Sequence, residues 1–349
     1  MSRLHVAQKS AGSEPGTATR RMHREGLSAG SPGTRIQGPA DALGLVATEL
    51  AASEQVLRSV LMSDVQEIPL VTRYLLDAGG KRLRPAIAAL GARAIGQEPC
   101  PAFMCVGELV HLGSLFHDDV VDGGEERRDQ PAAHRVYGNA AAVLGGDFCI
   151  ARAMRLSFEQ GGPRASEELS KTLTRMAEGE MLQLVRSADL SSTREDYFEV
   201  IERKAAVLIA WCTASHAWLE DRSELAESLF RYGKAVGMAF QITDDVLDYA
   251  EDTGKGPGID LMERKVTLPL LHAMERIPDL RSRLEQGAPD KDALHALRQE
   301  VRGCGALETS LDRAREFVAE AQEALAAVPA GEGRDALEVL AHYVVERVR

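Results

Sequence analysis

Apolar residues recur at intervals of three and four along nearly the whole chain beyond residue 41, the spacing of helices that bury one face. Clusters of glycine and proline, which end helices, separate nine such stretches. The stretches are 40–61, 82–95, 102–121, 140–158, 166–185, 194–219, 223–249, 307–327 and 334–348. Aromatic side chains make up only 5% of the chain, which argues against a sandwich or barrel of bulky strands. The pattern predicts one all-α domain of ten or more helices, without a convincing strand or repeat.

Residues 1–38 have a different character. They are rich in Ser, Gly and Thr, lack apolar periodicity, and carry six Lys and Arg against two acids. An Arg- and Ser-rich segment with few acids is typical of an organelle transit peptide, but no amphipathic apolar face accompanies these arginines. We therefore interpret 1–38 as a disordered basic extension and 39–349 as the folded domain.

The charge balance excludes some classes of partner. The chain has 41 Lys and Arg against 53 Asp and Glu, a net charge of −12, which argues against nucleic-acid binding because that requires a basic surface. No stretch reaches the about 18 uninterrupted apolar residues of a membrane-spanning helix. The five cysteines are scattered without CxxC pairs or zinc-site spacing, so we expect free thiols and a cytoplasmic protein.

Two identical carboxylate clusters point to a metal site. Asp118, Asp119 and Asp122 end one predicted helix, and the same spacing recurs at the end of a later one. The second cluster is Asp244, Asp245 and Asp248. Within each cluster the residues at i and i+4 share a helix face, where two carboxylates 4 Å apart repel by about 4 kcal/mol at an effective dielectric near 20. One acidic run is usually a solvated helix end, but two in strongly apolar helices favour bound cations.

The choice of cation follows from the ligand chemistry. Oxygen ligands select a hard cation, and Mg²⁺ binds one or two carboxylates and completes its shell with water and phosphate oxygens. Calcium is less favoured because neither cluster has the spacing of an EF-hand loop.

Basic residues that could hold a diphosphate lie near both clusters. Gly79 and Gly80 precede Lys81, Arg82 and Arg84 just before a helix, an arrangement suited to phosphate. Further cations are Arg127, Arg128, Lys204, Lys255 and Lys265. Each is unremarkable alone, since such residues are usually solvated, but together they compensate the charge of two anionic substrates.

These motifs resemble those of the trans-isoprenyl diphosphate synthases, the polyprenyl synthetases, over residues 40–349. The similar segments, in order, are GGKRLRP from Gly79, DDVVDGGEERR from Asp118, FQITDDVLD from Phe240, GK at Gly254 and DLMERKVTLP from Asp260. The resemblance implies an isoprenoid-synthase-type helical bundle around a central cavity. It also implies a homodimer and Mg²⁺-dependent, head-to-tail condensation of an allylic diphosphate with isopentenyl diphosphate, with two to three ions bound.

The resemblance assigns roles to individual residues. Asp118, Asp122 and Asp244 would bind Mg²⁺ directly, while Asp119, Asp245 and Asp248 would either support these ligands or bind the ion through water. The allylic diphosphate would be held by Arg127, Lys204, Gln241, Lys255 and Lys265, and isopentenyl diphosphate by Lys81, Arg84, His111 and Arg128. The residues of catalysis would be Asp118, Asp122, Asp244, Lys204 and Arg127.

His111 lies on the predicted helix that ends in the first carboxylate cluster. It lies seven residues before Asp118 and so returns to nearly the same helix face. A single histidine on an apolar helix is more often a core residue, but this position favours a hydrogen bond to diphosphate.

The resemblance also implies where product length is set: the growing chain would run down the helix that carries Asp118, and residues one turn before the motif would form the floor of the tunnel. Positions four and five before Asp118 lie roughly 6–7.5 Å below it along the helix, and they are Ser114 and Gly113. The next facing turn carries Val110 and Gly107. Without aromatic side chains there, the chain is expected to make a product of C20 or longer, with C30 or more favoured. The competing explanation is that small residues only allow close helix packing.

Two other functions remain open from the sequence. A class I terpene cyclase shares the fold and the first carboxylate cluster, but it has a different second site and no use for residues 79–84. A non-catalytic regulatory subunit of a heteromeric synthase would also share the fold, although both carboxylate clusters are intact here.

Overall fold

The computed structural model describes residues 36–187, 189–220, 222–249, 259–262, 265–287 and 291–347. Most of the proposed extension, residues 1–35, therefore lies outside the described part, and its boundary stays a prediction. The α-helices in the described residues are α1 Pro39–Gly44, α2 Ala47–Val60, α3 Glu67–Asp77, α4 Leu83–Ala94, α5 Pro101–Val121, α6 Ala133–Tyr137, α7 Asn139–Val185, α8 Arg194–Ile201, α9 Val207–Ala214, α10 Ser223–Leu247, α11 Ile259–Met262, α12 Leu268–Arg276, α13 Leu280–Glu285, α14 Lys291–Gly303, α15 Ala306–Ala324 and α16 Glu332–Glu346. A π-helical turn, Glu202–Ala206, joins α8 to α9, and short 3₁₀ turns follow α9 and α15.

The prediction of an all-α fold is confirmed. The described residues contain one small exception, a hairpin of two-residue strands, β1 Glu126–Arg127 and β2 Gln130–Pro131. Its turn residues, Arg128 and Asp129, both have positive φ, at 55° and 62°. Two-residue strands are too short to show the alternation of polar and apolar residues that would reveal them in a sequence.

The long helix α7 has a kink at the position that its glycines and proline indicate. Gly162 is non-helical, with φ 67° and ψ −167°, and Pro163 follows it. Proline cannot donate a backbone hydrogen bond, so the helix changes direction there. The two halves of α7 correspond to the two helices expected at 140–158 and 166–185.

The core is built around α5, which packs against α7, and around α10, which packs against α9 and α15. Large apolar side chains such as Phe116, Trp211 and Leu229 are fully buried in it. A second, smaller apolar cluster joins α12, α13 and α14. Because α5 and α10 both belong to the core, the carboxylate clusters at their carboxyl ends are held on a fixed scaffold. None of the described helices is long and apolar enough to cross a bilayer.

Candidate active site

The first carboxylate cluster occupies the last turn of α5. Asp122 follows the helix and donates its backbone N–H to the carbonyl of Asp118 at 2.8 Å, so the two carboxylates lie one turn apart. Asp119 is buried, with 1% exposed, and its Oδ1 accepts a 2.8 Å hydrogen bond from Nε of Arg127. Its Oδ2 has no hydrogen-bond partner. The hairpin β1–β2 therefore brings Arg127 directly onto the first cluster.

The second cluster occupies the end of α10, with Asp248 immediately after the helix. Asp245 is buried and accepts hydrogen bonds from the Tyr197 hydroxyl at 2.6 Å and from the Gln241 amide at 2.9 Å. Asp244 is more exposed and forms a 2.7 Å ion pair with Arg347, near the end of the described chain. The sequence identified neither Tyr197 nor Arg347.

An acidic residue outside the two clusters, Glu180 on α7, also lines the cleft next to Asp118. Its carboxylate forms a 2.6 Å ion pair with Lys204, which lies in the π-helical turn. Burial raises the pKa of Asp118 to about 6; Lys204 opposes that rise, while Glu180 and Asp122 add to it. Asp118 thus lies in a buried position where both acidic and basic neighbours act on its charge.

A cleft of about 320 Å³ joins the two clusters to the proposed cations of the allylic site. Its lining includes Asp118, Asp122, Arg127, Lys204, Gln241, Asp245 and Lys265. Lys255, the remaining member of that proposed set, lies outside the described residues. Arg186, Ser192 and Asp196 also line the cleft, and sequence analysis did not identify them.

The residues proposed for isopentenyl diphosphate gather near the start of α4, and their cavity also reaches Asp118, Lys204 and Gln241. Arg84 and His111 line a common cavity, and Nε of Arg84 is buried without a partner. Arg128 donates hydrogen bonds to the carbonyl oxygens of Leu75 and Gly79, while Lys81 is exposed. Burial and the neighbouring arginines hold the pKa of His111 well below its usual value, so its imidazole is neutral.

The cavity that contains Arg84 and His111 has a volume of about 440 Å³ and extends below Asp118. Its described apolar lining comes from α5, α7 and α9 and includes Val110, Leu115, Ile150, Leu173, Met176 and Leu208. Ser114 and Val110 line it, as the helix spacing predicts.

The two glycines proposed for the tunnel are in contact with neighbouring helices. A Cβ added at Gly113 would lie 2.8 Å from Cγ1 of Ile150 and 2.9 Å from the carbonyl oxygen of Gly146 on α7. A Cβ at Gly107 would lie 2.2 Å from Sγ of Cys212 on α9. Gly107 and Gly113 thus permit close helix packing, the competing explanation, while Ser114 and Val110 face the cavity.

The donor set fits a hard divalent cation that shares its shell with a substrate. No three or more acidic, histidine or cysteine side chains in the described ranges converge to hold an ion by themselves. Mg²⁺ typically takes only one or two carboxylates and completes its shell with water and phosphate oxygens, which suits pairs such as Asp118 and Asp122. The buried Oδ2 of Asp119, which has no hydrogen-bond partner, is a further sign of an uncompensated acceptor.

Comparisons with known proteins agree with this geometry. The family model described as polyprenyl synthetase matches residues 65–301. The chain is 39% identical over 318 residues to the octaprenyl diphosphate synthase of Escherichia coli (strain K12), covering 87% of this chain and 98% of that protein.

Solved structures are similar over nearly their full length. The polyprenyl synthase of Caulobacter crescentus CB15, complexed with calcium and isoprenyl diphosphate, matches with 36% identity and a TM-score of 0.85, covering 90% of this chain and 100% of that one. A decaprenyl diphosphate synthase from Rhodobacter capsulatus matches with 34% identity and a TM-score of 0.83, covering 89% and 99%.

Two acid-rich helix ends at the mouth of an apolar cavity, in an all-α bundle, define an isoprenoid synthase. The chain belongs to the polyprenyl synthetase family. It is a prenyltransferase of the polyprenyl diphosphate synthase type, and its family uses a divalent metal and isoprenyl diphosphate substrates.

Proposed function

We propose that this protein is a magnesium-dependent synthase of long-chain polyprenyl diphosphates, of C30 or more. The cavity below Asp118 carries this proposal, because the described residues that line it include no Phe, Tyr or Trp to close it at a short product. The octaprenyl and decaprenyl synthases to which the chain is similar support the same product class.

Asp118, Asp122 and Asp244 would hold Mg²⁺ directly, with Asp119, Asp245 and Asp248 acting through bound water. Two to three ions are proposed, and once bound they would supply positive charge that stabilises the departing diphosphate. Asp119 and Asp245 already accept hydrogen bonds from Arg127, Tyr197 and Gln241, which supports an indirect role for these two residues.

The basic and polar side chains around the clusters would bind the diphosphate groups of the two substrates. Arg127, Lys204, Gln241, Lys255 and Lys265 would bind the allylic diphosphate, and Lys81, Arg84, His111 and Arg128 would bind isopentenyl diphosphate. Fixed positive groups around the leaving diphosphate stabilise the charge that develops as the allylic C–O bond breaks. The apolar cavity keeps water from the allylic cation, and the released diphosphate can accept the proton, so no dedicated side-chain base is needed.

We also propose that the protein is a cytoplasmic homodimer. Apolar side chains on the first half of α7 are exposed in the isolated chain, with Leu144 64% and Phe158 61% exposed. An exposed apolar face of this kind is typical of an interface between subunits. All five cysteines are free thiols, which suits a reducing compartment. Light scattering during gel filtration would give the oligomeric state, and a monomer would contradict the dimer.

The experiment that tests the activity is incubation of the purified protein with Mg²⁺, farnesyl or geranylgeranyl diphosphate and labelled isopentenyl diphosphate. Chromatography and mass spectrometry would resolve the products, and we expect a ladder that ends at C30 or longer. Asp118→Asn should abolish the product ladder. Asp64→Asn is the matched control, because Asp64 is exposed and belongs to neither carboxylate cluster, and it should leave the ladder unchanged.

Other outcomes would point to the alternatives. A cyclised hydrocarbon formed without consumption of isopentenyl diphosphate would indicate a terpene cyclase. Absence of any product from a protein that binds both substrates would indicate a regulatory subunit.

A further inference from the structure

Arg82 occupies a strained position at the turn into α4. Its backbone is left-handed, with φ 50° and ψ 35°, a conformation that a residue with a side chain adopts only at an energetic cost. The guanidinium is bound by groups from three elements. Its Nε donates to Glu54 of α2 at 2.8 Å, its Nη1 to Glu108 of α5 at 3.0 Å, and its Nη2 to the carbonyl oxygen of Leu76 in α3 at 3.3 Å. All three donor nitrogens of Arg82 are therefore bonded to the protein, whereas Nε of the nearby Arg84 is buried without a partner.

Glu108 is the buried partner in this arrangement. Its side chain is 3% exposed, against 30% for that of Glu54, and it lies one helical turn before His111 on α5. A carboxylate at such a depth is retained only if positive groups compensate it. Besides Arg82, its charge acts on Arg84 and Arg128, two residues proposed for the isopentenyl diphosphate site.

The arginines themselves stand close together. A Cβ added at Gly80 would lie 3.1 Å from Nη1 of Arg82 and 3.3 Å from Nη2 of Arg128, so both guanidinia pack over the backbone of the loop. Burial lowers the pKa of Arg128, the charge of Glu108 opposes this, and Arg82 and Arg84 add to the lowering. Three guanidinium groups in one region repel, and the buried carboxylate of Glu108, bonded to Arg82 at 3.0 Å, offsets part of that repulsion.

We propose that Glu108, assisted by Glu54, is a positioning residue for isopentenyl diphosphate: it fixes Arg82 and, through its charge, keeps Arg84 and Arg128 close together beside the cavity. This inference rests on the proposed function and deepens it. Of the three basic residues in the segment 79–84, Arg82 then positions the turn into α4, and Lys81 and Arg84 are left to contact the ligand. Glu108 bonds to Arg82 and its charge acts on Arg84 and Arg128, none of which is proposed to bind the allylic diphosphate, so its loss should weaken the binding of isopentenyl diphosphate more than that of the allylic substrate.

Glu108→Gln tests the proposal because it removes the charge and keeps the shape. We expect the KM for isopentenyl diphosphate to rise about tenfold or more, because the charged hydrogen bond between Glu108 and Arg82 is lost. The KM for the allylic diphosphate should change by less than about twofold. Arg82→Gln should give the same split. The double variant Arg82→Gln/Glu108→Gln should be no worse than about the larger single effect, because the two side chains act as one unit.

Binding can be measured apart from turnover. Calorimetric titration with isopentenyl diphosphate and Mg²⁺ should show the same loss of affinity in Glu108→Gln. A wild-type protein that binds isopentenyl diphosphate but forms no polyprenyl product would contradict the proposed function alone, while the binding ratio would still decide the positioning role.

Glu49→Gln is the matched control. Glu49 lies on α2, as Glu54 does, and pairs with Arg93. Arg93 lies near the carboxyl end of α4, far from Arg82 at the start of that helix. Its replacement should affect thermal stability without moving either KM. If Glu108→Gln does not fold, Glu54→Gln removes only the more exposed partner of Arg82 and should raise the same KM by a smaller factor.

Several results would overturn the proposal. An unchanged KM for isopentenyl diphosphate would show that Glu108 has no positioning role. A lower KM would show that Glu108 only weakens the positive potential of the site. A parallel loss of both affinities and of kcat would show a role in folding alone.

Discussion

The hydroxyl of Tyr197 donates a 2.6 Å hydrogen bond to Oδ2 of Asp245, a carboxylate that is 4% exposed. The amide of Gln241 donates to Oδ1 of the same carboxylate at 2.9 Å. Both oxygens of Asp245 are therefore committed, one to α8 and one to its own helix. The orientation of the second carboxylate cluster thus depends on Tyr197, a residue that no metal-binding motif indicates.

Tyr197→Phe should weaken metal binding and leave the fold intact. Removing a hydrogen bond to a charged group costs about 1.5–3 kcal/mol, and here the loss frees a carboxylate beside the proposed magnesium ligands. We expect the Mg²⁺ concentration for half-maximal activity to rise about tenfold. Activity measured across a Mg²⁺ titration checks this, with Tyr343→Phe, a partly exposed tyrosine of α16, as the control. An unchanged Mg²⁺ requirement would refute the link between Tyr197 and the metal.

Ser114→Phe should shorten the products. Ser114 lines the cavity, and its position four residues before Asp118 is roughly 6 Å below that carboxylate. A phenyl ring there would close the cavity early, so we expect the ladder to end near C15 in place of C30 or more. Ser114→Ala is the control, because it leaves the cavity open. An unchanged ladder in Ser114→Phe would place the tunnel elsewhere.

Substitution of Gly113 should act differently from substitution of Ser114. A Cβ at this position would contact Ile150 and the backbone of Gly146 at less than 3 Å, so even Gly113→Ala requires α5 and α7 to move apart. Overpacking of this kind costs about 1–3 kcal/mol. We expect a lower melting temperature with no new product length. A shorter ladder at full stability would instead place Gly113 in the tunnel.

The sequence predicts the environment of Ser114 but not that of its neighbour Gly113. Helix periodicity placed Ser114, His111 and Asp118 on one face of α5 correctly, because that depends only on the geometry of one helix. Whether Gly113 faces a cavity or another helix depends on α7, and no local pattern contains that information. The side chains that hold the carboxylates are remote for the same reason. Tyr197 lies 48 residues from Asp245, and Arg347 lies 103 residues from Asp244.

The buried His216 should make the fold sensitive to acid. Its Nε2 accepts the backbone N–H of Cys100 at 3.1 Å, and burial lowers its pKa to about 4. Between pH 6.5 and 4 the unfolded chain therefore binds a proton that the folded chain does not, so stability falls as the pH decreases. In this range His216 lowers the free energy of unfolding by up to about 1.4 kcal/mol for each unit by which the pH falls. Its full contribution to stability is present above about pH 6.5.

His216→Gln tests this sensitivity. Glutamine can still accept the hydrogen bond from Cys100 but does not titrate, so the free energy of unfolding should depend less on pH below 6.5 than it does in the wild type. Urea unfolding at pH 7.5 and pH 5.0 measures the difference. If both proteins lose the same free energy between these two pH values, His216 is not the group responsible.

Gly179→Ala should impair catalysis through Lys204. Gly179 is buried on α7, where an added Cβ would lie 2.6 Å from the backbone N of Lys204 and 2.7 Å from Cβ of Arg203. The π-helical turn that carries Lys204 would have to shift, and with it the 2.6 Å ion pair to Glu180 next to Asp118. We expect kcat/KM for the allylic diphosphate to fall about tenfold or more, because a misplaced cation no longer stabilises the leaving group.

Gly44→Ala is the control for Gly179→Ala, since a Cβ at Gly44 meets nothing within 4 Å. If Gly179→Ala lowers the melting temperature but retains kcat/KM, the close contact at Gly179 serves packing alone and Lys204 tolerates displacement.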